Sequence, residues 1–63
     1  MYEYLETKRA DELREGDFIT LTGYVDEVAE IEEVYPVGNE IAIRTSDGAG
    51  KVVAPSKLFR TYS

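Results

Sequence analysis

Turn-forming residues divide this chain at regular intervals, and their spacing limits the possible fold more than any other feature. Signals rich in glycine, proline, aspartate and asparagine fall at residues 15–17, 23, 36–39, 46–50 and 55–56. The runs between them are short and contain β-branched and aromatic residues, which favour strands. Several short strands separated by turns predict an all-β fold, a small barrel or sandwich.

Five runs have the residue types and the alternation of strands: residues 2–7, 18–22, 41–45, 51–54 and 59–62. We expect residues 2–7 to be an edge strand, and Asp47-Gly48 predicts the hairpin turn between residues 41–45 and 51–54. Residues 8–15 predict one helical turn with Leu13 packed inward, and residues 55–58 predict a 3₁₀ turn.

Residues 24–35 are consistent with two structures. Three apolar residues of this segment have the spacing of a helix face, and its many glutamates favour a helix. Its β-branched residues and the flanking turns favour a strand, and it lacks helix caps. We expect a long, bent strand with a bulge near Asp26 and Glu27, and a helix is the alternative.

The order of these elements resembles that of the SH3-like small β-barrels, with five or six short strands and one helical or 3₁₀ turn. A Leu-x-x-Gly-Asp loop is followed by a strand, a glycine, a long second strand, a hairpin, a short turn and a last strand. The residues that carry the resemblance are Leu13, Gly16, Asp17, Ile19, Leu21, Gly23, Ile41, Ile43, Asp47, Gly48 and Leu58. The resemblance covers residues 10–62. In size, acidity and lack of cysteine the chain also resembles small uncharacterised bacteriophage proteins, especially those of actinobacterial phages.

Length and composition exclude several classes of protein. A chain of 63 residues has room for one core, so we expect a single domain over residues 1–63. The sequence has no cysteine and no histidine, which excludes disulfides, zinc sites built on these residues, and Cys or Ser–His catalysis. A barrel of this size is filled by its own side chains, so we expect no enzyme, no cofactor and no small-molecule substrate.

No apolar run is long enough to span a membrane, and no signal peptide is recognisable, so we expect a cytoplasmic protein, in the host cytoplasm if it is phage-encoded. The richest carboxylate run is Asp26, Glu27, Glu30, Glu32 and Glu33. It lacks the spacing of a calcium loop. We interpret it as a solvated strand face that resists edge pairing, with metal binding as the alternative.

Charge is divided unevenly along the chain. The formal net charge is −6, made up of −9 over residues 1–43 and +3 over residues 44–63. The basic part contains Arg44, Lys51, Lys57 and Arg60, with Tyr62 nearby. Cations interleaved with aromatic residues are typical of single-stranded nucleic-acid surfaces. The alternative is that they pair with carboxylates of neighbouring strands, for example Arg60 with Glu3 or Glu6. The overall negative charge works against nucleic-acid binding.

Tyrosine is the other surplus, with five in 63 residues. Tyrosine is enriched in protein–protein interfaces, so the candidate partner-binding residues are Tyr2, Tyr4, Tyr24 and Tyr35. The alternative is that they cap the ends of the core. Tyr2 and Tyr4 fall on one face of the N-terminal segment, which is the first candidate for a dimer strand or a partner strand.

The sequence therefore predicts a non-catalytic interaction module that binds a protein partner or forms a homodimer. A nucleic-acid-binding barrel that uses the basic C-terminal residues is one alternative. The other is an acidic inhibitor that mimics DNA and occupies a host protein's basic groove.

Overall fold

A computed structural model describes all 63 residues and shows an all-β protein, six antiparallel strands in one sheet. The strands are β1 (Tyr4–Arg9), β2 (Phe18–Ile19), β3 (Ala29–Val37), β4 (Glu40–Thr45), β5 (Gly50–Val53) and β6 (Leu58–Tyr62). The only helical segments are two 3₁₀ turns, Ala10–Glu12 and Val25–Glu27. The predicted all-β class is confirmed. Neither turn has the length or the apolar character to cross a lipid bilayer.

The order of strands across the sheet is β1-β6-β2-β3-β4-β5. The last strand lies between the first two, and β1 and β5 form the two edges. Thr7 on β1 is opposite Arg60 on β6, and a bulge at Leu5 interrupts their register. The expected edge position of the N-terminal strand is confirmed, although the strand begins at Tyr4 and ends at Arg9.

The core lies on one face of the curved sheet. Its buried members are Ala10, Leu13, Ile19, Ile31, Ile43, Val53 and Phe59. Each strand except β1 contributes one of these side chains. Alternate residues of a strand point to opposite faces, so only one face of each strand can reach this core. Ala10 and Leu13 come from the first 3₁₀ turn and the residue after it, so the prediction that Leu13 packs inward is confirmed.

The Leu-x-x-Gly-Asp loop has a local explanation. Gly16 has a φ of +94°, a region in which side chains are disfavoured. The Asp17 carboxylate accepts hydrogen bonds from the Arg14 amide at 2.9 Å and from Lys8 Nζ at 3.3 Å. The Ile31 amide donates to the Asp17 carbonyl at 2.8 Å, and the Gly16 amide donates to the Ile31 carbonyl at 3.0 Å. The loop therefore fixes the start of β2 against β3.

The strand predicted over residues 18–22 is shorter in the structure and ends at Ile19. The Thr20 hydroxyl accepts hydrogen bonds from the amides of Thr22 at 3.3 Å and Gly23 at 3.2 Å. A threonine that bonds to nearby backbone in this way offers the chain an alternative to the sheet. The chain therefore turns away directly after β2.

The long strand predicted over residues 24–35 is wrong in its first part. Val25–Glu27 is a 3₁₀ turn in which the Glu27 amide donates to the Tyr24 carbonyl at 2.9 Å, and the strand begins at Ala29. The predicted 3₁₀ turn at residues 55–58 is a single hydrogen-bonded turn, closed by the Lys57 amide and the Ala54 carbonyl at 3.0 Å.

Candidate binding groove

Three of the seven cationic side chains form ion pairs. Lys8 lies 3.3 Å from Asp17, Arg9 lies 3.0 Å from Asp11, and Arg44 lies 2.6 Å from Glu33. The last pair joins two neighbouring strands, because Arg44 is opposite Glu33 in the register of β3 and β4. The prediction that basic residues pair with carboxylates of neighbouring strands is therefore confirmed for Arg44, whose charge is neutralised within the sheet.

The other four residues of the predicted basic surface meet at one groove. Lys51, Lys57, Arg60 and Tyr62 line an open depression of about 380 Å³ between β5, β6 and the loop after β2. The remaining lining residues are Thr20, Leu21, Thr22, Gly23, Leu58 and Phe59. None of the lining residues is acidic, although the chain has 13 carboxylates. The three cations are not engaged in ion pairs, so the groove presents a positive surface on an acidic protein.

The pairing predicted for Arg60 with Glu3 or Glu6 is wrong. Arg60 lies opposite Thr7, and its guanidinium carbon is 6.0 Å from the centroid of the Tyr4 ring. A cation held over an aromatic face is attracted to the ring quadrupole. This contact orients the guanidinium and leaves its N–H groups available to an anion.

The aromatic residues of the groove are covered. Tyr62 is 8% exposed and Phe59 is 7% exposed. The Tyr62 ring packs edge-on against Tyr4 with 6.5 Å between centroids. The exposed apolar lining comes from Leu58, at 63%. The groove therefore offers cations and aliphatic surface, without an open aromatic face on which a base could stack.

The four candidate partner-binding tyrosines do not form one surface. Tyr2 packs on Phe18 with 5.5 Å between ring centroids, and Tyr4 packs on Tyr62. Tyr24 precedes the second 3₁₀ turn and is exposed. Tyr35 lies on the outer face of β3, opposite Ala42. The structure brings Tyr2 and Tyr4 to the β1–β6–β2 part of the sheet and leaves the other two apart.

A second open depression, of about 480 Å³, lies beside the first 3₁₀ turn. Val34, Tyr35, Pro36 and Ile41 supply much of its apolar lining, and its charged lining is Asp11, Arg14 and Glu15. The sequence did not indicate this site, because its residues come from three separate segments. Both signs of charge are present, so it lacks the electrostatic selectivity of the groove at Lys51.

One carboxylate has a perturbed acidity. The Thr45 hydroxyl donates to Asp47 at 2.6 Å and the Ala49 amide donates at 3.2 Å. These bonds hold the pKa of Asp47 below its ordinary value, with the Thr45 hydroxyl as the larger cause. Asp47 therefore stabilises the β4–β5 hairpin turn. No three carboxylates are placed together as a metal site would need.

Comparison with protein-family models, with curated proteins and with solved structures finds no match to this chain. The resemblances to SH3-like barrels and to phage proteins stay predictions from the sequence.

Proposed function

We propose that this protein is a non-catalytic interaction module that binds an acidic segment of a protein partner in the groove formed by Lys51, Lys57, Arg60 and Leu58. One observation carries the proposal. In a chain with a net charge of −6, three cations without ion pairs line the same groove, and no carboxylate does. Complementary charge of this kind steers a partner and selects against the wrong one.

A protein segment suits this groove better than a nucleic acid does. Single-stranded nucleic acids bind on aromatic faces, and the rings of Tyr62 and Phe59 are covered. Binding of a phosphate backbone depends on many cations, whereas the body of this protein is strongly acidic. A short acidic peptide brings few charges near that body, and the exposed Leu58 offers aliphatic contact beside the cations.

We further propose, as the sequence predicts, that the protein is not an enzyme and that it lies in the cytoplasm. The DNA-mimic alternative uses the surface carboxylates. Several of them, including Asp17 and Glu33, already neutralise cations of the same chain.

The test uses a labelled peptide of about seven residues that alternates glutamate and valine, with a lysine–valine peptide and an oligothymidylate of about 12 nucleotides as comparison ligands. We expect fluorescence anisotropy to show binding of the acidic peptide alone. Its affinity should fall as salt is raised from about 50 to 300 mM, because surface charge is screened.

Charge reversal at one position gives the sharpest control. Lys57→Glu should weaken binding of the acidic peptide by about three- to tenfold. Arg14→Glu changes the net charge by the same amount outside the groove and should have little effect. Equal effects of the two substitutions, or preferential binding of the oligothymidylate, would overturn the proposal.

A further inference from the structure

Building on the proposed function, we propose that the acidic segment binds as an added β-strand along the free edge of β5, with acidic residues on the side of Lys51 and apolar residues on the side of Val52.

The free edge of β5 presents unpaired backbone groups. The Thr45 amide donates to the Ala49 carbonyl at 2.9 Å, so this pair of the hairpin is hydrogen-bonded. Hydrogen-bonded and non-bonded pairs alternate along an antiparallel ladder. Lys51 is therefore bonded to Ile43, its partner in the register, and Gly50 and Val52 direct their amides and carbonyls away from β4. An extended segment can pair with these groups by strand addition.

The opposite edge of the sheet is less open to the same pairing. A bulge at Leu5 interrupts β1 near its start. The Arg9 amide near its end is occupied by the Glu12 carboxylate at 2.8 Å. Bulges and local caps of this kind protect sheet edges from other chains. The geometry thus favours β5 over the N-terminal segment as the strand that receives a partner.

The side chains flanking this edge define the sequence that it would accept. Lys51 is opposite Ile43, so it lies on the core-facing side and lines the groove. Val52 lies on the other face in one row with Ala42 and Tyr35. Cross-strand neighbours on one face interact directly. A strand added here meets a cation on one face and apolar surface on the other, which selects alternating acidic and apolar residues.

A second copy of this chain is a poor occupant of the edge. Two β5 edges paired with each other would bring two copies of Lys51 close together on one face, and like charges there oppose pairing. The groove also holds Lys57 and Arg60, which add to the repulsion. The occupant is therefore an acidic segment of another protein.

Amide hydrogen exchange of the isotope-labelled protein, with and without the glutamate–valine peptide, tests this binding mode. We expect exchange at Gly50 and Val52 to slow by about tenfold or more in the complex, because these amides gain partners. Thr7, on the opposite edge, serves as the internal control and should not change. If the peptide shifts the resonances of Lys57 and Leu58 without protecting Gly50 and Val52, strand addition is wrong and the proposed function stands.

A substitution provides an independent measurement. Val52→Pro removes the outward amide without removing a hydrogen bond within the sheet, since proline is tolerated on an edge strand in this orientation. It should weaken peptide binding several-fold more than Val52→Thr, which keeps the amide and alters only the side-chain contact. Unchanged affinity in folded Val52→Pro would overturn strand addition. If that variant does not fold, the exchange measurement on the unaltered protein decides. Failure of the peptide to bind at all would overturn the proposed function as well.

Discussion

The Arg60 guanidinium is held over the ring of Tyr4, with 6.0 Å from its central carbon to the ring centroid. Tyr4 in turn packs edge-on against Tyr62 and donates to, or accepts from, the Thr7 hydroxyl at 2.8 Å. An N-terminal tyrosine thus orients a cation of the groove without lining the groove itself. The tyrosine surplus and the basic residues, which were separate features of the sequence, meet at this contact.

Replacing Tyr4 should therefore affect both stability and binding. Tyr4→Leu keeps an apolar side chain and removes the ring face, so we expect a loss of about 0.5–1 kcal/mol in unfolding free energy. Binding of the acidic peptide should weaken by about twofold, because Arg60 loses its orientation. Urea titration and anisotropy measure the two effects. Tyr24→Leu, at an exposed tyrosine outside these contacts, is the control, and equal losses in both variants would contradict the assignment.

The core should be sensitive to the loss of a single methyl group. Ile31 is 1% exposed, so Ile31→Val should lower the unfolding free energy by about 0.5–1.5 kcal/mol. Ile31→Ala should cost about 2–5 kcal/mol, comparable with the whole stability of a domain of this size. Val25→Ala, on an exposed side chain, should change the urea midpoint little. A similar shift for Val25→Ala and Ile31→Val would contradict the assigned core.

Two glycines of the β4–β5 hairpin should respond differently to substitution. Gly48 has a φ of +89°, so Gly48→Ala should cost about 1–2 kcal/mol, which thermal unfolding would show as a lower Tm. Gly50 has ordinary strand geometry, and a Cβ there would lie 3.5 Å from the Ile43 carbonyl, a normal contact. Gly50→Ala should leave the Tm nearly unchanged. A larger loss at Gly50 than at Gly48 would refute the turn geometry.

Asp47 should make stability depend on pH in the acid range. Its pKa is lowered in the folded state, so its stabilising contribution is complete above the ordinary aspartate pKa and is lost as the pH falls through the lowered folded value. Asp47→Asn should therefore reduce the urea midpoint at neutral pH. The difference from the unaltered protein should vanish in strong acid, where both side chains are neutral. A difference that persisted there would show that the carboxylate charge is not the cause.

The sequence predicted the hairpin well because the information is local. Ile41 and Ile43 alternate with smaller or polar residues, and Asp47-Gly48 specifies the turn. The segment before β3 was predicted less well. The Thr22 hydroxyl donates to the Glu27 carboxylate, and the Thr20 hydroxyl accepts hydrogen bonds from two backbone amides. These side-chain contacts determine the path of the loop between β2 and β3. Strand propensity cannot reveal such contacts.

The candidate site was predicted in part for a similar reason. The concentration of cations after residue 43 is visible in the sequence, and it includes three residues of the groove. Arg44 does not contribute to the groove because of the register of β3 and β4. A bulge near Glu32 places the carboxylates of Glu32 and Glu33 within reach of the Arg44 guanidinium. Tertiary structure alone shows that the loop after β2 supplies the other wall, including Leu21.

The place of β6 in the sheet determines when the protein can fold during synthesis. β1 and β2 do not pair with each other, and each is joined to β6. The Thr61 hydroxyl donates to the Glu6 carbonyl at 2.7 Å, across 55 positions of the chain. A nascent chain therefore carries β1 without a strand neighbour until residues 58–62 have left the ribosome, while β3, β4 and β5 can already form their meander. Folding of this sheet is in that sense a late event, and a truncation before Leu58 would leave β1 without a strand neighbour and β2 paired with β3 alone.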